Sequence, residues 1–129
     1  MPSASLATAS ILLVDDSAFS LQTIGFALRR AGHTVREASS AEAALANLDC
    51  HGAPRICLVD HIMAGLDGAS LIRLMRQRAD AADVAMVLMS TAEPEHVRAQ
   101  ARDIGAHAWL AKPFAPEQLL AIISILLDR

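Results

Sequence analysis

The sequence predicts a doubly wound α/β sandwich, in which one five-stranded parallel sheet lies between two layers of helices. Five short apolar runs recur about every 22 to 28 residues, the length of a strand followed by a crossover helix. Helix start and stop signals fill the intervals between the runs. Three of the runs are apolar throughout, as expected of central parallel strands that are buried on both faces. The 129 residues are therefore expected to form one domain of five successive β-α units.

The five apolar runs are the predicted strands. The first, third and fourth are the uniformly apolar ones and are placed in the centre of the sheet. The second and fifth mix polar with apolar residues, which suits edge strands. In chain order the predicted strands cover residues 11–14, 34–38, 56–59, 84–89 and 107–111.

The predicted helices are recognised by their ends. Serine and aspartate are favoured as N-caps, proline in a first turn, and glycine just after a last turn. In chain order these signals are Ser17 and Gly32 for the first helix, Ser40 for the second, Asp67 or Gly68 for the third, Glu93-Pro94-Glu95 and Gly105 for the fourth, and Pro116 for the fifth.

Composition and charge narrow the classes of function. No apolar run approaches the ~18 residues of a membrane span, and the N-terminus lacks the basic and apolar segments of a secretion signal. The net charge of -3, with no basic cluster, argues against direct binding to nucleic acid. We expect residues 1–9 to be a flexible lead-in, residues 10–129 to be the folded domain, and the protein to be cytoplasmic.

The cysteines and the scattered histidines do not suggest a metal site. Cys57 lies in an apolar run and is expected in the core, because free cysteine packs as a small hydrophobe. Cys50 and His51 are adjacent, but two ligands do not make a site, and the pair is interpreted as the end of a helix. The histidines predicted at the surface or in loops are His33, His96 and His107.

Charged and hydroxyl side chains follow four of the predicted strands. In an open parallel sheet, ligands bind beyond the carboxyl ends of the strands. The sequence therefore gathers three carboxylates, an ammonium and hydroxyls at one edge of the sheet. These residues are Asp15 and Asp16 after strand 1, Asp60 after strand 3, Ser90 and Thr91 at the end of strand 4, and Lys112 after strand 5.

The residue types indicate phosphate chemistry. Three clustered carboxylates repel one another and need a cation, and hard oxygen ligands suit Mg²⁺, which favours phosphate oxygens. A lysine can pair with another phosphate oxygen, and Lys112 is the only lysine of the sequence. The set suits an aspartyl phosphate better than a reaction on carbon.

Each of these residues has an ordinary interpretation when it is taken alone. Asp15 and Asp16 could cap a helix, Asp60 could be a loop acid, and Thr91 could be a cap. Lys112 before a proline says little by itself. Their joint placement at the carboxyl ends of the right strands is what favours a site.

The sequence from about residue 10 to residue 128 resembles the receiver domains of bacterial response regulators, including the chemotaxis regulators. The matching segments are residues 11–17 (ILLVDDS), 60–68 (DHIMAGLDG), 89–92 (MSTA), 105–106 (GA) and 112–114 (KPF). This resemblance covers nearly the whole chain. It implies a flavodoxin-like fold with strand order 2-1-3-4-5, in a two-component signal transduction system.

The resemblance also implies roles for the strand-end residues. Asp60 is then the phosphoacceptor. Asp16 and Asp60 bind Mg²⁺, or Mn²⁺ in its place, directly, while Asp15 binds it mainly through water and Ile62 through its backbone carbonyl. Lys112 precedes a cis proline at position 113.

A second group of residues is implied to transmit and to end the signal. Thr91 and Lys112 bind the phosphoryl group, and Trp109 occupies the position of the switch aromatic. Ile62 and Glu93 flank the path of the hydrolytic water and tune the lifetime of the phosphorylated state. Such a domain is a switch that catalyses its own phosphotransfer and autodephosphorylation, not an enzyme with a separate substrate.

Two surfaces are expected to bind partners. Helix 1 faces a histidine kinase or a histidine phosphotransfer protein. Phe19 and Phe26 lie outside the core side of this helix, which is formed by Ser20, Ile24, Ala27, Leu28 and Ala31.

The face made of helix 4, strand 5 and helix 5 binds an effector or a dimer partner. In helix 5, Leu119, Ile122, Ile123 and Leu126 are predicted to be buried, and Leu120 and Leu127 to be exposed. Neither nucleic acid nor membrane is expected as a direct partner.

The chain departs from the family pattern near the acceptor. The usual proline four residues after the acceptor is Ala64 here, which suggests a looser loop. His61 is interpreted as a solvated loop residue, and Asp67 as a structural cap. The last helix lacks the Arg and Asp pattern of receivers that dimerise ahead of winged-helix domains.

Three rival functions share parts of this pattern. A phosphatase with an aspartate nucleophile needs an acid two residues after it, where Ile62 stands. A flavin-binding electron carrier needs a phosphate loop, which Asp15 and Asp16 would repel. A scaffold without phosphorylation would not need the complete set of site residues. Whether the receiver is free-standing or belongs to a longer chain is left open by the sequence.

Overall fold

The computed structural model describes residues 8–91 and 94–128, with only the backbone of residues 94–98. Five strands and five long helices alternate along the chain, with one short 3-10 helix before the fourth strand. In chain order they are β1 (Ser10–Val14), α1 (Ala18–Arg30), β2 (Thr34–Ala38), α2 (Ala41–His51), β3 (Ile56–Asp60), α3 (Gly68–Arg76), the 3-10 helix (Ala79–Ala81), β4 (Ala85–Ser90), α4 (Pro94–Ile104), β5 (Ala108–Ala111) and α5 (Pro116–Leu127).

All the strand pairs are parallel, and the sheet order is β2-β1-β3-β4-β5. The predicted fold class and strand order are therefore confirmed. Of the lead-in predicted for residues 1–9, positions 1–7 lie outside the described residues. In the described part of the chain, no helix is long and apolar enough to cross a membrane.

The core has two layers, one on each face of the sheet. In β1, Leu12 and Val14 pack under α2 and α3, whereas Ile11 and Leu13 face α1 and α5. β3 and β4 are buried at every residue, which confirms that the uniformly apolar runs are the central strands. Because both faces are covered, the polar strand ends are left at the rim.

The predicted N-caps of α1, α2 and α3 are present. The Ser17 and Ser40 hydroxyls accept from the backbone N–H groups of Ser20 (3.2 Å) and Ala43 (3.0 Å). The Asp67 carboxylate accepts from Ser70 N–H at 2.8 Å, so the prediction that Asp67 is a structural cap is confirmed. α1 ends at Arg30, two residues before a glycine at φ 97.

Several side chains differ from the predicted pattern. His33 is buried, because its Nδ1 accepts from the Ala9 N–H at 3.1 Å and joins it to the segment before β1. His33 lies in the connection between α1 and β2, so the predicted loop position is correct although the side chain is buried, and burial lowers its pKa. His107 is exposed as predicted, and the His96 side chain lies outside the described residues. Ala31, predicted on the core side of α1, is exposed.

The buried side of α5 is as predicted, but its exposed residues differ from the prediction. Leu119, Ile123 and Leu126 are buried, and Ile122 is partly buried. Leu120 and Leu127, predicted to be exposed, pack in part against the α1/α5 side of the core. Ile125 is exposed in their place, at 65% of its surface.

Candidate functional site

The carboxyl ends of β1 and β3 bring three carboxylates together. Asp15 is fully buried just after β1, Asp60 is the buried last residue of β3, and Asp16 is exposed. One carboxylate oxygen from each lies within 4.8 Å of the others, close enough to hold one ion. The sequence predicted this cluster from strand ends alone.

Lys112 closes the cluster from the end of β5. Its Nζ lies 3.0 Å from Asp15 Oδ2 and 3.0 Å from Asp60 Oδ1. The Lys112 N–H also donates to the Ser90 carbonyl at 2.8 Å, and the following peptide bond to Pro113 is cis, as predicted. The ammonium therefore bridges one carboxylate from each of two neighbouring strands.

The charges at the site do not balance. Three carboxylates face one ammonium, which leaves two negative charges, the number that a divalent cation would neutralise. Oxygen-only donors with that charge fit Mg²⁺, which prefers carboxylates, carbonyls and water. The donor set is thus compatible with the predicted cation.

Burial, more than the neighbouring charges, shifts the pKa of Asp60. Burial raises the pKa of this carboxyl above its ordinary value, and the charges of Asp15 and Asp16 raise it further, against the opposing hydrogen bond from Lys112. For Lys112, burial lowers the pKa, but the bonds to Asp15 and Asp60 outweigh burial and the pKa is raised. Asp60 is thus held in a strained charge environment, as functional carboxylates often are.

Backbone groups orient the two β1 carboxylates. The Ser17 N–H donates to Asp15 Oδ1 at 3.0 Å, so Asp15 is fixed by both its own turn and Lys112. The Ala64 N–H donates to Asp16 Oδ2 at 3.0 Å, from the loop between β3 and α3. The second contact was not foreseen, and its only signal in the sequence is the missing proline at position 64.

The first residue of α3 is a glycine, Gly68, which allows the helix to begin close to the Asp60 backbone. A Cβ on Gly68 would lie 2.2 Å from the Asp60 carbonyl oxygen and 2.9 Å from Val59 Cγ1. No side chain fits there, because the first of these contacts is to backbone. Gly68 therefore sets how closely the β3–α3 loop returns to the strand end.

His61 joins the ends of β3 and β4. Its Nδ1 lies 3.1 Å from Ser90 Oγ, and its backbone N–H donates to the Met89 carbonyl at 2.8 Å. The residue lies in a loop, as predicted, but it is half-buried and bonded to Ser90, so it is only partly solvated. The sequence did not reveal this contact because the two residues meet only once β3 and β4 pair.

Three other predicted residues lie in β5 or in the segments that follow β3 and β4. Thr91 is exposed immediately after β4, and Ile62 is 67% exposed in the loop after Asp60. Trp109 is half-buried in β5, pairs in register with Leu88, and packs against the α2–α4 side of the core. Glu93, predicted to flank the hydrolytic water, lies outside the described residues.

Comparison with known proteins defines the class. Residues 11–124 match the model of the response regulator receiver domain, and the chain belongs to that family, whose members act in two-component systems and interact with kinases and effectors. The phosphate regulon transcriptional regulatory protein PhoB of Pseudomonas aeruginosa is 29% identical over 93% of this chain and 52% of its own length.

Solved structures agree with this assignment. The chemotaxis response regulator CheY4 of Vibrio cholerae has a TM-score of 0.86 and 26% identity, over 93% of this chain and 99% of CheY4. A putative two-component response regulator/GGDEF domain protein has a TM-score of 0.86 and 37% identity, over 92% of this chain and 49% of that protein. The chain spans about half the length of PhoB and of the GGDEF protein.

Proposed function

We propose that this receiver domain accepts a phosphoryl group on Asp60 from a phosphohistidine, with Mg²⁺ bound at the three carboxylates. One observation carries the proposal: Lys112 Nζ bridges Asp15 and Asp60 at 3.0 Å each, within a cluster that still lacks two positive charges. Asp16 and Asp60 would bind the cation directly, Asp15 mainly through water, and Ile62 through its carbonyl. Mn²⁺ could replace Mg²⁺ because its oxygen-ligand preference is the same.

The proposed transfer is a displacement at phosphorus. An oxygen of the Asp60 carboxylate attacks, the new O–P bond forms as the P–N bond breaks, and the electron pair stays on the imidazole nitrogen, which is then protonated by water. When bound, the cation neutralises charge on the phosphoryl oxygens. Lys112 already contacts Asp60 Oδ1, so its ammonium lies where it can pair with a phosphoryl oxygen.

The phosphorylated protein is proposed to signal through Thr91 and Trp109. Thr91 would donate its hydroxyl to a phosphoryl oxygen, and Trp109 would respond from the neighbouring strand, changing the face formed by α4, β5 and α5. Such a change selects between two packings and needs only small displacements. An effector or a dimer partner would bind that face.

The phosphodonor is proposed to dock on α1. Phe19 and Phe26, predicted to lie outside the core side of α1, are 73% and 62% exposed, and the Arg30 guanidinium lies 5.7 Å from the Phe26 ring centre. Large exposed aromatic side chains are common at the centres of interfaces. A histidine kinase or a phosphotransfer protein would use this patch.

The chemistry proposed for the domain is limited to its own aspartate. It would catalyse transfer to Asp60 and the later hydrolysis of the acyl phosphate, and we do not propose a separate substrate. Ile62 is exposed beside the acceptor and cannot move protons, so it would shield the bond from water. Glu93 is proposed to orient that water.

The experiment uses acetyl phosphate as the donor. With Mg²⁺, intact-mass measurement should show one added phosphoryl group, and Asp60→Asn or a chelator should remove it. Asp67→Asn is the matched control, because Asp67 caps α3 and lies outside the carboxylate cluster. Modification that persists in Asp60→Asn would refute the assignment of the acceptor.

A further inference from the structure

The three carboxylates of the site are not held equally. Asp15 and Asp60 are buried, and both bond to the Lys112 ammonium. Asp16 is exposed, and within the described residues its carboxylate has one hydrogen bond, from the Ala64 N–H to Oδ2 at 3.0 Å. The position of this carboxylate therefore depends on a single backbone amide from a different part of the chain.

That amide belongs to the loop that leaves the acceptor. The loop runs from Asp60 to α3, and Gly68 holds its far end against the Asp60 carbonyl. The Gly68 N–H also donates to the His61 carbonyl at 3.0 Å, which closes the loop on itself. A hydrogen bond from Ala64 thus ties Asp16, after β1, to a loop that β3 and α3 already fix at both ends.

We propose that the Ala64 backbone N–H is a positioning group of the cation site, which holds Asp16 beside Asp15 and Asp60 before the ion arrives. This inference rests on the proposed Mg²⁺ site. An exposed aspartate samples several rotamers, and ordering it on binding costs free energy. The amide removes part of that cost, and it leaves the second carboxylate oxygen of Asp16 free for the ion.

The residue type at position 64 matters only through its N–H. Proline has no N–H and cannot make this bond, whereas serine keeps it. The alanine was expected to loosen the loop, but it supplies a bond to the site that proline cannot make.

The first test is binding of Mg²⁺ alone, measured by titration calorimetry on Ala64→Pro, Ala64→Ser and the unmodified protein. Groups that orient metal ligands are worth about 10- to 100-fold in affinity, and an exposed ligand is expected at the lower end, about tenfold. Ala64→Pro should lose that affinity and Ala64→Ser should keep it. A loss of less than about threefold in Ala64→Pro would overturn the inference. An unmodified protein that does not bind Mg²⁺ would refute the proposed function as well, which separates the two failures.

The second test needs no metal and covers the case of a misfolded proline variant. In the metal-free protein, NMR should show the Ala64 N–H exchanging with water about fivefold more slowly than a free amide, the effect of one exposed hydrogen bond. Asp16→Ala should abolish this protection and leave the Ser70 N–H, which is bonded to Asp67, unchanged. Equal exchange at Ala64 in the two proteins would overturn the inference.

Discussion

Replacing Gly68 by alanine should lower both the stability of the domain and the phosphorylation of Asp60. The new Cβ would lie 2.2 Å from the Asp60 carbonyl oxygen, whereas real Cβ atoms essentially never approach another atom within 3.0 Å. Neither partner can retreat easily, because one is the first turn of α3 and the other is the end of a buried strand. Overpacking of this kind costs about 3 kcal/mol, and the better helix propensity of alanine returns at most about 1 kcal/mol.

The expected net loss is about 2 kcal/mol in the free energy of unfolding, or about 8 °C in Tm for a domain of this size. Gly25→Ala is the matched control, also a glycine-to-alanine change in a helix. Its Cβ would meet Arg29 Nη1 and Glu37 Oε2 at 3.0 Å, the tips of two flexible side chains that can move. Only the Gly68 variant should show a lower Tm by calorimetry and a lower level of phosphorylation by acetyl phosphate. Equal melting temperatures for the two variants would refute the steric reasoning.

The remaining predictions concern charge, switching and lifetime. Burial raises the pKa of Asp60 in the folded protein. Between the ordinary aspartate pKa and this raised pKa, the folded metal-free protein therefore binds more protons than the unfolded chain. Its free energy of unfolding falls as pH rises through that window. Asp60→Asn should therefore raise the Tm of the metal-free protein by a few degrees at neutral pH and flatten its pH dependence, and an unchanged pH profile would contradict this. Beryllofluoride with Mg²⁺ should change the emission of Trp109, the only tryptophan of the sequence, and Thr91→Ala should blunt that change while Asp60 is still phosphorylated. An identical optical response in Thr91→Ala would show that the two residues are uncoupled. Ile62→Asn should shorten the phosphorylated state several-fold in a decay assay, because a polar side chain can order water; an equal or longer lifetime would argue against shielding.

The fold was predictable because each of its signals is local. Uniformly apolar runs identify strands that are buried on both faces, and Ser17, Ser40 and Asp67 are caps that act within three residues of themselves. The carboxylate cluster followed from the same information, since parallel strands end at the same edge. Only the strand order required a resemblance, because no local signal says which strand is the neighbour of which.

The errors arise where the apolar pattern does not show which side of a helix is buried, or where a contact depends on the tertiary fold. α5 reads PEQLLAIISILL, with apolar residues all round, so its periodicity could not say that Ile125, and not Leu120 or Leu127, is exposed. The His61–Ser90 contact and the Ala64 N–H bond each join residues far apart in sequence, 29 and 48 positions respectively. A backbone donor leaves almost no mark in the residue types, and here its only sign is that position 64 is not proline.

The single lysine of the chain makes the site addressable by amine chemistry. Lys112 is the only side-chain amine of the sequence, so it is the one side chain on which an acylating reagent leaves a stable amide, and its ammonium lies between Asp15 and Asp60. Only 20% of the Lys112 side chain is exposed, and its nucleophilic lone pair is blocked while it is protonated and paired. The rate at which this side chain is acylated therefore measures how firmly the ammonium is paired with Asp15 and Asp60, without a mutation or a bound dye.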